Sequence, residues 1–576
     1  MSVLKSGINK INKRLLELSK KLDKTPKYVE MMFWSLFIVL FAVISYYHEP
    51  WEDELQSFFI AKETTYYEMI FRLGHGEGHP ALWWILLSIP AKIGLGPDVS
   101  LKLVSFIFSI ASAYIIIFKF HIPKIFRLTV PFTFFIFYQY GIVSRCYCIY
   151  VFAMSLLTLF WNKRSKKPFI TVMIMSLVCF SGAYGIVIIL GLAAIWVFEI
   201  IFDSISEKRL QFVKMFLVHK NEIISLFILA LVGLLLALEI WPVNSYAVDL
   251  MSKRSVKDIL FRLLYLSLIE PIDALFYTST YNEVQLVYSG MDLNIAVIII
   301  GIFLTLLYYG IIMMLPLTYG KRKFFIIPQI LYIILSSSTF YLMHHVGITT
   351  MFFIFWIATC YEEKYYDVAK KRNILENTQN TNYEETFYGK FLSKGEGKVL
   401  LPFTYLLFVL PTIVSLNWGI SSSIMDITWA YSPNKIISNR IDSYGDREFK
   451  VASNSLAMLN AYKSEKMNVC AMYFNGRRVS FILNEYSDVD YENKINDYKS
   501  WGYPDIIVSA GSPSDVIAPF FDANGGEIPN YRLLEFLPCG KIYKGLSTSF
   551  EFNIFMRDDL ADELGGLGKE TVKIEK

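Results

Sequence analysis

Long apolar runs alternate along this chain with short polar breaks, and the breaks carry the charge. Apolar stretches lie at about Met32–Tyr47, Leu101–Phe120, Leu128–Gly141, Tyr147–Trp161, 169–183, 184–202, 222–242, 293–317, 324–342, Met351–Cys360 and 399–418. Repetition of such runs predicts a polytopic α-helical membrane protein with about 11 transmembrane helices. The apolar stretch Pro80–Ala91 is about a dozen residues long and is bounded by Pro90 and Lys92, which suits an interfacial or re-entrant helix better than a crossing. From about residue 420 the pattern changes. Short β-rich runs at 469–474, 505–510, 531–537 and 550–556 alternate with helix-like stretches such as Lys450–Lys463, predicting a small C-terminal α/β domain. That region has no phosphate-binding glycine loop, no G-x-S-x-G and no H-E-x-x-H, so it reads as a binding or capping domain.

Charge sets the orientation. Lys5, Lys10, Lys13, Arg14, Lys20, Lys21, Lys24 and Lys27 precede the first run, with no small-residue cleavage site after it, so residues 1–30 read as a basic cytosolic leader to a retained anchor. With Pro80–Ala91 not crossing, four short basic groups fall on the cytosolic side: Lys119 to Arg127, Lys163 to Lys167, Lys208 to Lys220, and Lys321 to Lys323. The opposite assignment violates all four. The expected order is a membrane module over 31–420 with a first outer loop at 49–98, a cytosolic loop at about 362–398, an extracytoplasmic α/β domain over 421–560 and a charged tail over 561–576.

Composition agrees: 54% hydrophobic residues and a mean hydropathy of +0.41 are too apolar for a soluble protein of 576 residues. A net charge of +4, from 55 basic and 51 acidic side chains, gives no nucleic-acid signature. The six cysteines include no C-x-x-C pair, which excludes a zinc ribbon or redox motif; Cys470 and Cys539 could pair if their domain lies outside the cytosol.

The stretch from His48 to Trp84 holds the candidate chemistry. Glu52, Asp53 and Glu54 emerge together at the outer end of the first run, where charge is costly without a use. Pro50 and Asp53 suit a helix start, but capping explains one carboxylate rather than three with Glu77 and His79 nearby. The same topology puts Arg72, His75, Arg145, His344 and His345 on the outer side. Carboxylates can deprotonate a hydroxyl or hold a metal, while Arg and His bind phosphate, so the set suits group transfer from a phosphate leaving group. The plainer alternatives are a snorkelling interfacial Arg145 and a merely polar loop at His344–His345. In the outer loop of about 243–292, Lys253, Arg254, Lys257 and Arg262 accompany an amphipathic stretch. They read as a solvated helix face, with a phosphate-rich ligand as the alternative.

The runs W-E-D-E-L-Q-S-F-F-I-A-K and E-G-H-P-A-L-W-W, followed by R-x-Y at Arg145–Tyr147, resemble the GT-C superfamily of integral-membrane glycosyltransferases. The likeness is to protein O-mannosyltransferases, lipid A aminoarabinose transferases and an uncharacterised bacterial branch, close over about 30–160 and loose over 290–420. It implies a cell-membrane, multi-pass enzyme of envelope glycosylation. A hexosyl or pentosyl group would pass from a polyprenyl-phosphate sugar to a hydroxyl of a glycan, lipid or protein on the outer face, with inversion. The resemblance assigns acceptor activation to Asp53 with Glu54 as its partner, donor-phosphate contacts to His79 and Glu77, and neutralisation of the lipid phosphate to Arg145 with Tyr147. His344–His345 stands where many relatives carry Arg-His, and H-P-A replaces the usual H-P-P. Some relatives need a divalent cation (Mg or Mn) and others none, so the metal stays open. The competing classes are another lipid-linked transferase or glycan ligase and a transporter or flippase; a transporter would favour mid-span charges or two related halves, which the chain lacks.

Overall fold

The computed structural model describes residues 25–77, 79–206, 212–241, 255–277, 295–319, 322–339, 341–375, 395–453, 461–469, 472–474, 477–479, 498–568 and 570–572, with Arg14 and Lys21. The chain is mostly helical. Among the described residues five helices are long and apolar enough to cross a membrane: Lys27–Tyr47, Pro97–Lys119, Ala183–Ile205, Met215–Glu239 and Met343–Glu362. Shorter apolar helices run over Leu82–Lys92, Pro168–Cys179, Ile299–Met313 and Ile326–Ser338. A helix satisfies its own backbone, the requirement that lipid imposes on any spanning segment.

The chain divides into two compact units. The membrane unit comprises Met1–Val43, Glu77–Pro80 and Ser105–Ser422; the second comprises Ile44–Gly76, Ala81–Val104 and Ser423–Lys576.

Within the membrane unit, small residues let backbones approach closely, the usual device where lipid supplies no hydrophobic drive between helices. A Cβ on Gly191 would lie 2.6 Å from Pro328 Cα, so the Ala183–Ser206 and Ile326–Ser338 helices meet there almost backbone to backbone. One end of the unit is knit by polar contacts. Lys124 and Arg127 both pair with Glu30, at 3.4 and 3.3 Å, Lys124 Nζ donates to Thr25 O, and His121 binds Glu362.

Two expectations change here. The run Leu128–Gly141 is not one α-helix: Lys124–Thr129 gives way to a 3₁₀ turn, Val130–Phe132, and then to a π-helical segment, Phe134–Ile142. Pro131 has no amide to continue the ladder, and Thr133 is extended; the Phe134 amide then donates to Ser415 Oγ instead. Arg262 does not lie on a solvated face. It is buried on the Val256–Leu268 helix and donates to the carbonyls of Ser337 and Thr339, where the Ile326–Ser338 helix ends with acceptors unsatisfied. Lys253 and Arg254 lie outside the described residues.

In the second unit a mixed sheet of six strands has the order β2-β1-β5-β7-β6-β8, built from β1 (Phe449–Ser453), β2 (Met467–Val469), β5 (Ile506–Ala510), β6 (Tyr531–Tyr543), β7 (Leu546–Arg557) and β8 (Glu570–Val572). β3 (Met472–Phe474) and β4 (Arg477–Val479) form a separate antiparallel pair. β1 runs parallel to β2 and β5, and β7 joins antiparallel. The Ser514–Asn524 helix packs Val516, Ile517 and Phe520 into a core with Ala452, Ile507 and Phe555. The helix-like stretch Lys450–Lys463 therefore begins as a central strand. Phe449 and Val451 are buried, and pairing on both sides outweighs local helical preference. Cys539 is buried on β6, while Cys470 lies outside the described residues.

Candidate functional site

In the second unit the acidic segment forms the first turn of the Glu52–Glu63 helix, which packs on Leu82–Lys92. Three carboxylates at a helix N-terminus are favoured by the exposed amides and the helix dipole. They are used differently. Glu54 is fully buried: its Oε2 accepts from the Trp51 amide at 3.2 Å, closing the turn as a cap, and meets His48 Nε2 at 3.2 Å. The other nitrogen of His48, Nδ1, lies 2.8 Å from Asp426 Oδ2, near the end of the Gly395–Thr428 helix. All three side chains are sealed from solvent. Burial alone would lower the His48 pKa, but the charges and hydrogen bonds of Asp426 and Glu54 outweigh it and push it up to about 10. His48 is thus an imidazolium between two carboxylates, with Tyr431 edge-on to its ring.

Glu52 and Asp53 remain half-buried on the same turn, and Ser57 Oγ donates to the Asp53 carbonyl. Lys541, on β6, lies over the Trp51 ring at 3.5 Å. Glu49 accepts from the Lys435 amide at the start of the Asn434–Ser443 helix, and Lys435 Nζ in turn meets Asp98. Burial raises the Glu49 pKa to about 7 against the pull of Lys435. Arg72 is exposed, and His75 is half-buried on the short helix that follows it.

The membrane unit holds the basic and aromatic candidates. Arg145 Cζ stands 5.6 Å from the centre of the Tyr147 ring, at the head of the Tyr147–Phe160 helix. Tyr147 stacks on Tyr140 of the π-helical segment at 4.8 Å and lies 5.5 and 6.1 Å from the rings of His344 and His345. The two histidines form a 3₁₀ turn with Met343, leading into Val346–Leu375. Their carbonyls are pinned, His344 O by the Tyr140 hydroxyl at 2.5 Å and His345 O by the Tyr332 hydroxyl at 2.9 Å. His79 reaches the same neighbourhood: its Nδ1 would lie 3.6 Å from a Cβ on Gly182, and both His79 and Arg145 interact electrostatically with His345.

Arg145, Tyr147, His344, His345 and His79 therefore gather in the membrane unit, while Asp53 and Glu54 share a helix turn of the second unit. Glu77 ends the Gly74–Glu77 helix, and its side chain lies outside the described residues. Sequence reasoning gave no role to His48 and missed Asp426, which is 378 residues away along the chain; a histidine just after the first apolar run and an acidic residue just after the last were the available signal. Among the described residues no group of three or more His, Cys, Asp or Glu side chains is arranged to hold a metal ion. No protein-family model and no curated protein matches the chain.

Proposed function

We propose that this chain is a GT-C-like glycosyltransferase that moves a sugar from a polyprenyl-phosphate monosaccharide to an acceptor hydroxyl on the outer face of the membrane. The observation that carries the reading is the gathering of Arg145, Tyr147, His79, His344 and His345 within the membrane unit. An arginine grouped with three imidazoles in so apolar a setting offers a charge and N–H donors to an anion, and a donor dissolved in lipid brings its phosphate there.

In this reading the acceptor oxygen bonds to the anomeric carbon as the bond from that carbon to the phosphate oxygen breaks. Asp53 takes the acceptor proton, and the lipid phosphate leaves with the electron pair, its charge met by Arg145 and its oxygens by the histidines. Phosphate leaves readily, so no strong acid is required. Glu54 anchors the turn that carries Asp53 rather than sharing its chemistry, because its carboxylate is committed to His48 and the Trp51 amide.

The full topology belongs to the same proposal: about 11 spans, N-terminus in the cytosol and C-terminus outside. The pairing of Glu30 with Lys124 and Arg127 supports one side for the leader and the first basic loop. The contact between His48 and Asp426 supports a common exit face for the first and last runs. The test is equilibrium binding of undecaprenyl phosphate to the protein in nanodiscs. Wild type should bind and Arg145→Ala should bind at least tenfold more weakly, as loss of a charge-assisted contact implies; equal binding by both would refute the assignment.

A further inference from the structure

His345 is held more completely than phosphate contact alone requires. Its Nδ1 accepts a hydrogen bond from the Leu342 amide at 2.8 Å, so the side chain closes the turn in the way a glutamate or glutamine closes a capping box. A backbone N–H can donate only to a lone pair, so Nδ1 carries no proton. The proton of the neutral ring then resides on Nε2, since the hydrogen bond at one nitrogen decides the state of the other.

The surroundings reinforce that state. The His345 ring lies 4.3 Å from Tyr184, 5.4 Å from Tyr341 and 4.2 Å from His344, with Tyr147 next. Besides these titratable neighbours, Arg145 and His79 act on it electrostatically, and among the described residues no ion pair joins the ring to a carboxylate. The buried Glu270 is turned to the Tyr341 hydroxyl, which donates to it at 2.9 Å. His345 is 3% exposed, and among the described residues nothing hydrogen-bonds its Nε2.

Resting on the glycosyltransferase reading, we infer that His345 is a neutral, tautomer-fixed N–H donor in the phosphate-binding set, with the positive charge supplied by Arg145. It offers one directed hydrogen bond from Nε2 to a phosphate oxygen and transfers no proton. A cationic His345 would set Nδ1–H against the Leu342 amide and break the turn that carries both histidines. Glu270 is a positioning residue in this arrangement, holding Tyr341 against the imidazole.

The state of the ring can be read without any donor. Protein labelled with ¹⁵N-histidine and placed in nanodiscs contains seven histidines, and the His345 signals are those lost in His345→Gln. At neutral pH the inference requires one unprotonated nitrogen, Nδ1, and a proton on Nε2; a doubly protonated ring or the opposite tautomer overturns it, whatever the protein binds. A second measurement uses undecaprenyl phosphate. His345→Gln keeps an acceptor for the Leu342 amide and a donor for the ligand, so its affinity should stay within about threefold of wild type, whereas His345→Glu keeps only the acceptor and should lose at least tenfold. Loss in both variants overturns the donor role while binding by wild type leaves the glycosyltransferase reading standing. Absence of binding by wild type overturns that reading and the phosphate contact with it, even with the tautomer as inferred.

Discussion

Replacing His48 by glutamine removes the only positive member of a sealed trio and leaves Glu54 and Asp426 as buried carboxylates. Raising its pKa from 6.5 to about 10 on folding corresponds to a stabilisation of about 5 kcal/mol, and breaking a buried pair by removing one partner costs about 3 to 5 kcal/mol. We take about 3 to 5 kcal/mol as the expected loss. Unfolding of a two-unit membrane protein is not all-or-none, so the assay is local: hydrogen exchange of the Trp51–Leu55 amides, which this trio caps. Exchange in His48→Gln should accelerate by about two to three and a half powers of ten at fixed pH, and Asp426→Asn should move the same amides in the same direction. The pH dependence has a definite sign. The folded pKa lies above the unfolded one, so the contribution is complete below about 6.5 and is lost as pH rises through about 10. Exchange within threefold of wild type in both variants, or a protection that grows between pH 8 and 10, would refute the trio as the anchor of the acidic turn.

Other consequences follow from close approaches and buried charge. Gly191→Ala should cost about 1 to 3 kcal/mol, read as a lower temperature of detergent-induced aggregation, because the new methyl meets the Pro328 backbone. Gly347→Ala should displace Tyr140, whose hydroxyl would lie 2.6 Å from the new Cβ, and should weaken undecaprenyl phosphate binding by releasing the His344 carbonyl. Glu49 has a folded pKa raised from 4.5 to about 7, so its ionisation destabilises the second unit as pH rises from about 4.5 to 7. Glu49→Gln should therefore be more stable than wild type by about 1 to 3 kcal/mol at pH 8 and no more stable near pH 4.5, measured by hydrogen exchange across Asn434–Ser443.

How much could be read from the chain depended on how local the cause was. Apolar runs announce helices because lipid-facing and buried helix faces are both apolar, and the runs at 147–161, 184–202 and 324–342 each coincide with a helix. The break within Leu128–Gly141 was half visible in Pro131; the extended Thr133 and the Phe134 bond to Ser415 depend on a distant helix. Lys450–Lys463 looked helical because nothing local reveals that β2 and β5 flank its first residues. Arg262 looked like a surface charge because the carbonyls it serves lie some 75 residues on. The acidic cluster stood out as anomalous, yet the division of labour within it needed His48 and Asp426, and a contact across 378 residues leaves no local trace.

The central claim is group transfer from a lipid-linked sugar, and turnover tests it most directly. Purified protein in nanodiscs would be given a panel of radiolabelled polyprenyl-phosphate sugars, with wild type, Asp53→Asn and Arg145→Ala side by side. The account predicts release or transfer of one sugar by wild type, loss of turnover with donor binding retained in Asp53→Asn, and loss of donor binding in Arg145→Ala. Consumption of no donor by wild type, or turnover in Asp53→Asn equal to wild type, would contradict it.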